Sequence, residues 1–349
     1  MAPRRVRPLG LVIGLVLGLV SALSLGCTLR WGPNDGIPVQ GPATLPDLGS
    51  LRSCGSESPT ALASCVDRTR LARDLVTIAH PRAAGSEHAV AMRALCAERL
   101  RAAGFEVEQQ AYGTGVNVVG TKRGAGPGAE RLLVSAHYDG PPGCAGADDN
   151  GSGLAALLET ARVLGLGRFE RTLVAACWDE HESGLAGAAA YVGRAVSRHE
   201  RFATTLVLDS VGFTDARPGA QQVPPGIARA FPGALAELDA SGRRADFVTV
   251  LADSDARPLV EALRSHASRV GLRSIVLELG DSEKSASDPS HRSDQEPFWL
   301  DGYSAVLLTD SGDYRNAAHG CRGGDDVPNT LDYDFLEQVT GASVGALAA

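Results

Sequence analysis

The sequence has no basic run and no interleaving of basic with aromatic residues, and its net charge is −8. Both features argue against a nucleic-acid partner, because nucleic-acid backbones are bound by clustered Lys and Arg. No segment repeats with a period of 20–50 residues, which excludes solenoid and propeller arrays. The hydrophobic content of 44% and charged content of 21% are ordinary for a globular protein. A chain of 349 residues suffices for one large α/β domain or two small ones. After residue 67 no further boundary is found, so the reading is one large domain.

The N-terminus reads as a targeting segment. Arg4, Arg5 and Arg7 precede an apolar stretch from Leu9 to Gly26, and Cys27 follows. This is the n-region/h-region pattern of an export signal. The stretch is borderline in length for a spanning helix, which needs about 20 residues. Cys27 after Ser24-Leu25-Gly26 resembles a bacterial lipoprotein cleavage site, with Ser24 where Leu is usual. Residues 1–27 are therefore expected to be an export or lipoprotein-type signal. The protein is expected in the cell envelope, lipid-anchored at Cys27, or secreted. Any membrane contact is expected only through that anchor. Residues 28–66 are rich in Gly, Pro and Ser and read as a tether with a small loop. Residues 67–349 form the main domain.

Within that domain, short apolar runs end at polar side chains. Leu132–Ala136 runs into His137, Thr172–Trp178 leads to Glu182, Leu206–Leu208 ends at Asp209, and Val306–Leu308 lies ahead of His319. Such runs read as buried strands of a largely parallel sheet. Helical patterns alternate with them: Glu87–Ala103 after the N-cap Ser86, then 153–166, 185–196, 256–270 and 333–347. Strands are expected at 105–112, 116–122, 131–136, 171–178, 204–208, 247–251, 274–279 and 305–309. Alternation of this kind implies a sheet with helices on both faces. The Pro/Gly-rich segment 214–245 reads as a surface excursion.

Ligands bind outside the carboxyl ends of strands in open sheets. His137, Asp149, Glu182, Asp209 and His319 are five N/O donors at such ends, a set that suits zinc. A bridging carboxylate would let them hold two ions. His137-Tyr138-Asp139 places His and Asp on one side of a strand end, where Asp139 can support a metal-bound imidazole. Gly146–Gly153 is a Gly-rich acidic turn into a helix, in which Asp149 is either a capping residue or the bridge. Asp179-Glu180-His181-Glu182 concentrates like charge that a cation would relieve. If 178–182 is extended, Glu180 and Glu182 share a face.

There are seven cysteines, and a lipid on Cys27 would leave six. Cys54 and Cys65 share one polar loop and are placed to close a small ring. Cys144 lies near Asp149 and Cys321 near His319, so a shared site would bring them together as a disulfide. Cys96 and Cys177 read as buried free thiols.

In this order, from about Leu71 to the C-terminus, these motifs resemble the co-catalytic zinc exopeptidases of metallopeptidase family 28. That family includes secreted bacterial leucyl aminopeptidases and has glutaminyl cyclase as a relative. Pro81–Ser86 and Asn329–Tyr333 belong to the resemblance. It implies a three-layer α/β/α fold with a mixed, mostly parallel sheet of about eight strands. It also implies two Zn2+ ions and hydrolysis of a peptide bond by a metal-bound hydroxide. His137 and Asp209 would bind one ion each, on opposite sides of the pair, with Asp209 on the ion shared with Glu182 or its neighbour. Asp149 would bridge, Glu182 and His319 would complete the shells, and Asp139 would orient His137.

Two departures stand out. Active members carry Glu-Glu where this chain has His181-Glu182, and the first Glu is the general base. Members commonly carry Ser-Asp-His where this chain has Ser293-Asp294-Gln295. The expectation is an exported zinc aminopeptidase acting on peptide substrates, with His181 or Glu180 as the base. The alternatives are a catalytically impaired metal- or peptide-binding lipoprotein and a glutaminyl cyclase-like enzyme. From the sequence, His181→Glu is expected to raise activity by restoring the family base.

Overall fold

Short Leu- and Val-rich runs pair into an eight-stranded sheet in the order β1-β2-β4-β3-β5-β8-β6-β7. The computed structural model describes residues 54, 58–127, 130–224, 226–280 and 293–349; the export segment and Cys27 lie outside them. Strands β1 (Glu106–Tyr112) and β2 (Gly115–Lys122) form an antiparallel hairpin, and β2 pairs antiparallel with β4 (Thr172–Trp178). Strands β4, β3 (Glu130–His137), β5 (Arg201–Leu208) and β8 (Ala305–Thr309) run parallel, so their carboxyl ends share one edge. Strand β6 (Val248–Asp253) is antiparallel to β8, and β7 (Ser274–Leu279) is parallel to β6. Thr249 pairs with Thr309, which brings the starts of β6 and β7 to that same edge.

Side chains alternate between the two faces of the sheet. Leu206, Leu208, Val306 and Leu308 join one core, while Val207 and Leu307 join the other. The first core is closed by α1 (Pro59–Ala63), α2 (Arg68–Ile78), α3 (Glu87–Ala102), α4 (Gly153–Gly165), α8 (Arg257–Arg269) and α10 (Tyr333–Ala348). The second is closed by α5 (Ala186–Ser197) and α9 (Glu296–Leu300). This is the three-layer α/β/α sandwich expected from the sequence. Strand β3 has β4 on one side and β5 on the other, and the crossovers α4 and α5 lie on opposite faces. The loops that follow β3 and β4 therefore part, leaving a crevice at the switch point.

Ser86 caps α3 as expected, accepting from the Ala89 amide. Four short helices depart from the sequence reading. Helix α1 lies inside the segment read as tether: Ser58 caps it, Pro59 opens it, and Leu62 is buried in the first core. Residues 58–66 thus pack with the main domain, because a Ser/Pro-rich composition also suits a helix start. Helices α6 (Ile227–Ala230) and α7 (Pro232–Ala240) fold the excursion back, with Leu238 packed on Phe247 and Ile275. Helix α9, a single turn starting just before Pro297, is too short to show periodicity.

One buried charge holds the loop after β3. Arg82 is fully buried. Its Nε donates to Tyr138 O at 3.0 Å, and one terminal nitrogen donates to Ala145 O at 2.6 Å. The other donates to Gly146 O at 2.8 Å and Asp149 O at 3.2 Å. Gly146 has φ +58°, and a Cβ there would lie 2.3 Å from Asp149 O. Only glycine therefore fits beneath the guanidinium. A disulfide between Cys144 and Cys321 ties the same loop to the one after β8. Cys54 and Cys65 are separate thiols side by side rather than a closed ring, and Cys96 and Cys177 are buried free thiols.

Arg82→Met is expected to cost roughly 3–5 kcal/mol in denaturant unfolding, since four carbonyls lose their donor. Arg82→Lys should recover little, because an ammonium cannot supply the planar fork. A loss under about 1 kcal/mol for Arg82→Met would show that the clamp is dispensable. Reduction of the denatured protein should release two thiols that a Cys144→Ser/Cys321→Ser variant does not release.

Candidate metal centre

Strand β3 ends at His137 and β5 runs directly into Asp209. The clamped turn after β3 returns Asp149 between them. His137 Nε2 lies 3.6 Å from Asp149 Oδ1 and 3.6 Å from Asp209 Oδ1. The other oxygen of Asp149, Oδ2, lies 3.4 Å from His319 Nε2. One carboxylate thus faces two imidazoles from two loops, with one oxygen for each. Glu182 lines the same cleft. All five sequence-predicted ligands converge on one place.

The donors fit zinc. The His137 Nε2 atom is buried and has no hydrogen-bond partner among the described residues. Donors about 2.0–2.1 Å from a tetrahedral zinc sit about 3.3–3.4 Å apart, close to the spacings seen here. The electrostatics call for positive charge. Burial, then the Asp149 carboxylate, pushes Glu182 up. Burial opposes protonation of His137, yet Asp139 and Asp209 outweigh it and hold the imidazole well above its usual range. Burial likewise opposes ionisation of Asp209, and the His137 ring overcomes it, keeping that carboxyl low.

The grouping differs from the one implied by the resemblance. His137 and Asp209 are together around Oδ1 of Asp149, while His319 faces Oδ2. The reason is register: β3 and β5 are adjacent and parallel, with Ser135 opposite Val207, so their ends are neighbours.

Asp139 is fully buried, with Oδ1 3.4 Å from His137 Nδ1. Its Oδ1 accepts from the His181 amide at 3.0 Å and its Oδ2 from the Glu182 amide at 3.2 Å. It therefore steadies the histidine and pins the turn that carries Glu182. Glu180 is not at the cluster. It has φ 55°, which breaks the extended backbone that would have put it on the face of Glu182. Its carboxylate instead accepts the Thr114 hydroxyl at 2.6 Å. His181 does reach the cleft. Its ring stacks on that of His137, with centroids 3.7 Å apart and planes at 9°. Burial and His137 push the His181 imidazole down, but Asp294 and Asp209 raise it to about 9 in the absence of a metal. Cations at the cluster would cancel much of that carboxylate field.

Several supporting residues were not read from the sequence. Arg82 stands in the Pro81–Ser86 stretch, which by itself assigns it no role. Asp326 accepts the amides of Asp148 and Asp149 at 2.8 and 3.1 Å, and Asn316 donates to Asp148 at 2.9 Å. Burial, then Asp148, pushes Asp326 up to about 6. Ser293 donates to Asp209 Oδ2 at 2.5 Å. The available signal was weak: polar residues just ahead of the apolar Pro297-Phe298-Trp299 turn, and an Arg following a Pro. From the cluster a cleft of about 410 Å³ opens, and its far wall carries Val223, Ile227, Leu235, Phe247 and Ile275. The excursion and the starts of β6 and β7 build that wall.

Comparison with known proteins places the fold and the family. The uncharacterized protein YfbL of Escherichia coli (strain K12) is 28% identical over 231 residues, 60% of this chain and 63% of that protein. The chain thus spans slightly less than two thirds of that relative's length. The aminopeptidase from Aneurinibacillus sp. strain AM-1 superposes with a TM-score of 0.62 at 13% identity, over 83% of this chain and 95% of that one. Porphyromonas gingivalis glutaminyl cyclase superposes with a TM-score of 0.58 at 18% identity, over 81% and 98%. At such identities the likeness to solved structures is one of fold. The model of peptidase family M28 matches residues 117–339, more than half of the sequence, and the chain belongs to that family.

Proposed function

We propose that this protein is a zinc-dependent aminopeptidase that removes N-terminal residues from peptides outside the cytoplasm. In this reading it is held in the cell envelope through Cys27 or released. The observation that carries the reading is Asp149, whose two oxygens face two different imidazoles. One ion would be held by His137, Asp149 and Asp209, the other by Asp149, Glu182 and His319. When bound, zinc polarises a carbonyl and lowers the pKa of water.

The chain's own residues supply the rest. The charged lining of the cleft is mostly acidic: Asp149, Glu182, Asp209 and Asp313. Its one Arg or Lys among the described residues, Arg322, is paired with Asp313. With that pairing, no free Arg or Lys is left in the described lining to hold a terminal carboxylate, which supports amino- rather than carboxypeptidase action. The apolar wall takes an apolar side chain. His181 then moves the proton. Its imidazole accepts a proton as water adds to the scissile carbonyl carbon. It returns that proton to the amine nitrogen as the C–N bond breaks. One water is consumed, and a free amino acid and a shortened peptide result.

A second reading also has an observation behind it. Donor atoms of His137, His181 and Asp209 lie within 4.8 Å of one another. His181 would then be a further ligand, and the protein would bind metal without turnover.

The zinc-loaded full chain is expected to hydrolyse aminoacyl anilides, with apolar residues preferred over charged ones. Chelation should abolish turnover and added zinc should restore it. Silence across the panel would defeat the peptidase reading. Asp149→Ala should lose both ions, as read by metal analysis; a variant that keeps two per chain refutes the bridge. His181→Ala should lower kcat by roughly 10²–10⁴-fold with zinc content unchanged. A drop of one ion in that variant would favour the ligand role.

A further inference from the structure

The altered base meets in space the triplet that carries the other departure, through Asp294, which the family pattern keeps. His181 Nδ1 lies 3.2 Å from Asp294 Oδ2. Asp294 is fully buried, and neither of its oxygens has an aligned hydrogen bond among the described residues. A carboxylate taken out of water needs a donor or a cation, and the imidazole is the partner at hand. Both partners are held. Ser293, next in the chain, is anchored on Asp209, and its carbonyl accepts the Glu296 amide at 2.9 Å. Behind it, Phe298 and Trp299 of α9 are buried, and Trp299 Nε1 donates to Asp253 at 2.9 Å. On the other side, the His181 ring lies flat against His137, and its amide is fixed by Asp139.

We infer that Asp294 is a positioning residue that keeps the proton on Nδ1 of His181, so that Nε2 presents its lone pair to the cleft. This rests on the reading of His181 as the base. A buried carboxylate on one nitrogen fixes both the tautomer and the tilt of an imidazole, which is what a base with a single acceptor atom requires. A glutamate at 181 has no ring nitrogen for Asp294 to hold, so this pairing belongs to the imidazole that the chain carries.

The test is a double-mutant cycle on the zinc-loaded full chain with an aminoacyl anilide. Asp294→Asn should lower kcat roughly 10–100-fold, with KM and zinc content nearly unchanged. In the His181→Glu background, where there is no imidazole to orient, the same change should cost little. Equal losses in both backgrounds would mean that Asp294 is merely structural, and the inference would fall. If Asp294→Asn does not fold, the wild type alone decides the matter. Nitrogen-15 spectra of zinc-loaded, histidine-labelled protein should show His181 protonated on Nδ1 alone, and a ring protonated on Nε2 alone overturns the proposal. That spectrum scores the inference even where the anilide panel is silent, so failure of the peptidase reading and failure of this one are separable.

Discussion

The structure depends on one electrostatic constraint: acidic side chains are concentrated where parallel strands end, in a setting largely closed to water. Asp148, Asp310 and Asp326 are fully buried, and Asp149 and Asp209 are nearly so. Left unpaired, each would cost several kcal/mol or give up its charge. The fold meets the cost in layers. Backbone amides of Gly212, Phe213, Gly312, Asp148 and Asp149 point at the outer carboxylates. Arg82 sits beneath the loop as a fixed positive charge. What backbone and Arg82 leave over, at Asp149, Asp209 and Glu182, is charge that cations would match.

This division separates residues that hold the site from residues that face the cleft. Arg82, Asn150, Asp326 and the Cys144–Cys321 bond act on backbone. Asn150 donates to Leu208 O and accepts the amides of Gly153 and Ser210, so the acidic turn is sewn to the end of β5. The bridging carboxylate is therefore placed by main-chain bonds rather than by the ions it would hold. Such pre-organisation keeps donors aimed at one place and lowers the cost of bringing like charges together.

The pairing of His181 with Asp294 bears on how a family site tolerates a changed base. An imidazole is bulkier and more rigid than a glutamate side chain, and it can rotate away from the cleft. The flat contact with His137 and the carboxylate behind Nδ1 limit that rotation. The same triplet that donates to Asp209 through Ser293 meets His181 through Asp294, so one short turn before α9 reaches both side chains.

The sequence by itself determined much of the outcome. Apolar runs of strand length with donors at or after their ends were enough to read a layered α/β sheet with five candidate ligands at one edge, because strand burial writes itself as local hydrophobicity. The resemblance placed the family. Spacing near the ligands also anticipated the Cys144–Cys321 contact. Tertiary structure decided the rest. It put His137 with Asp209, since strand adjacency is not written in sequence order. It turned Glu180 away through a single positive φ, and it brought Asp294 to His181 across 113 residues of separation. It also made the Pro/Gly-rich excursion a wall of the cleft. Local pattern reports which residues leave water; only the packed chain decides which polar groups they meet there, because buried charges are settled by three-dimensional neighbours.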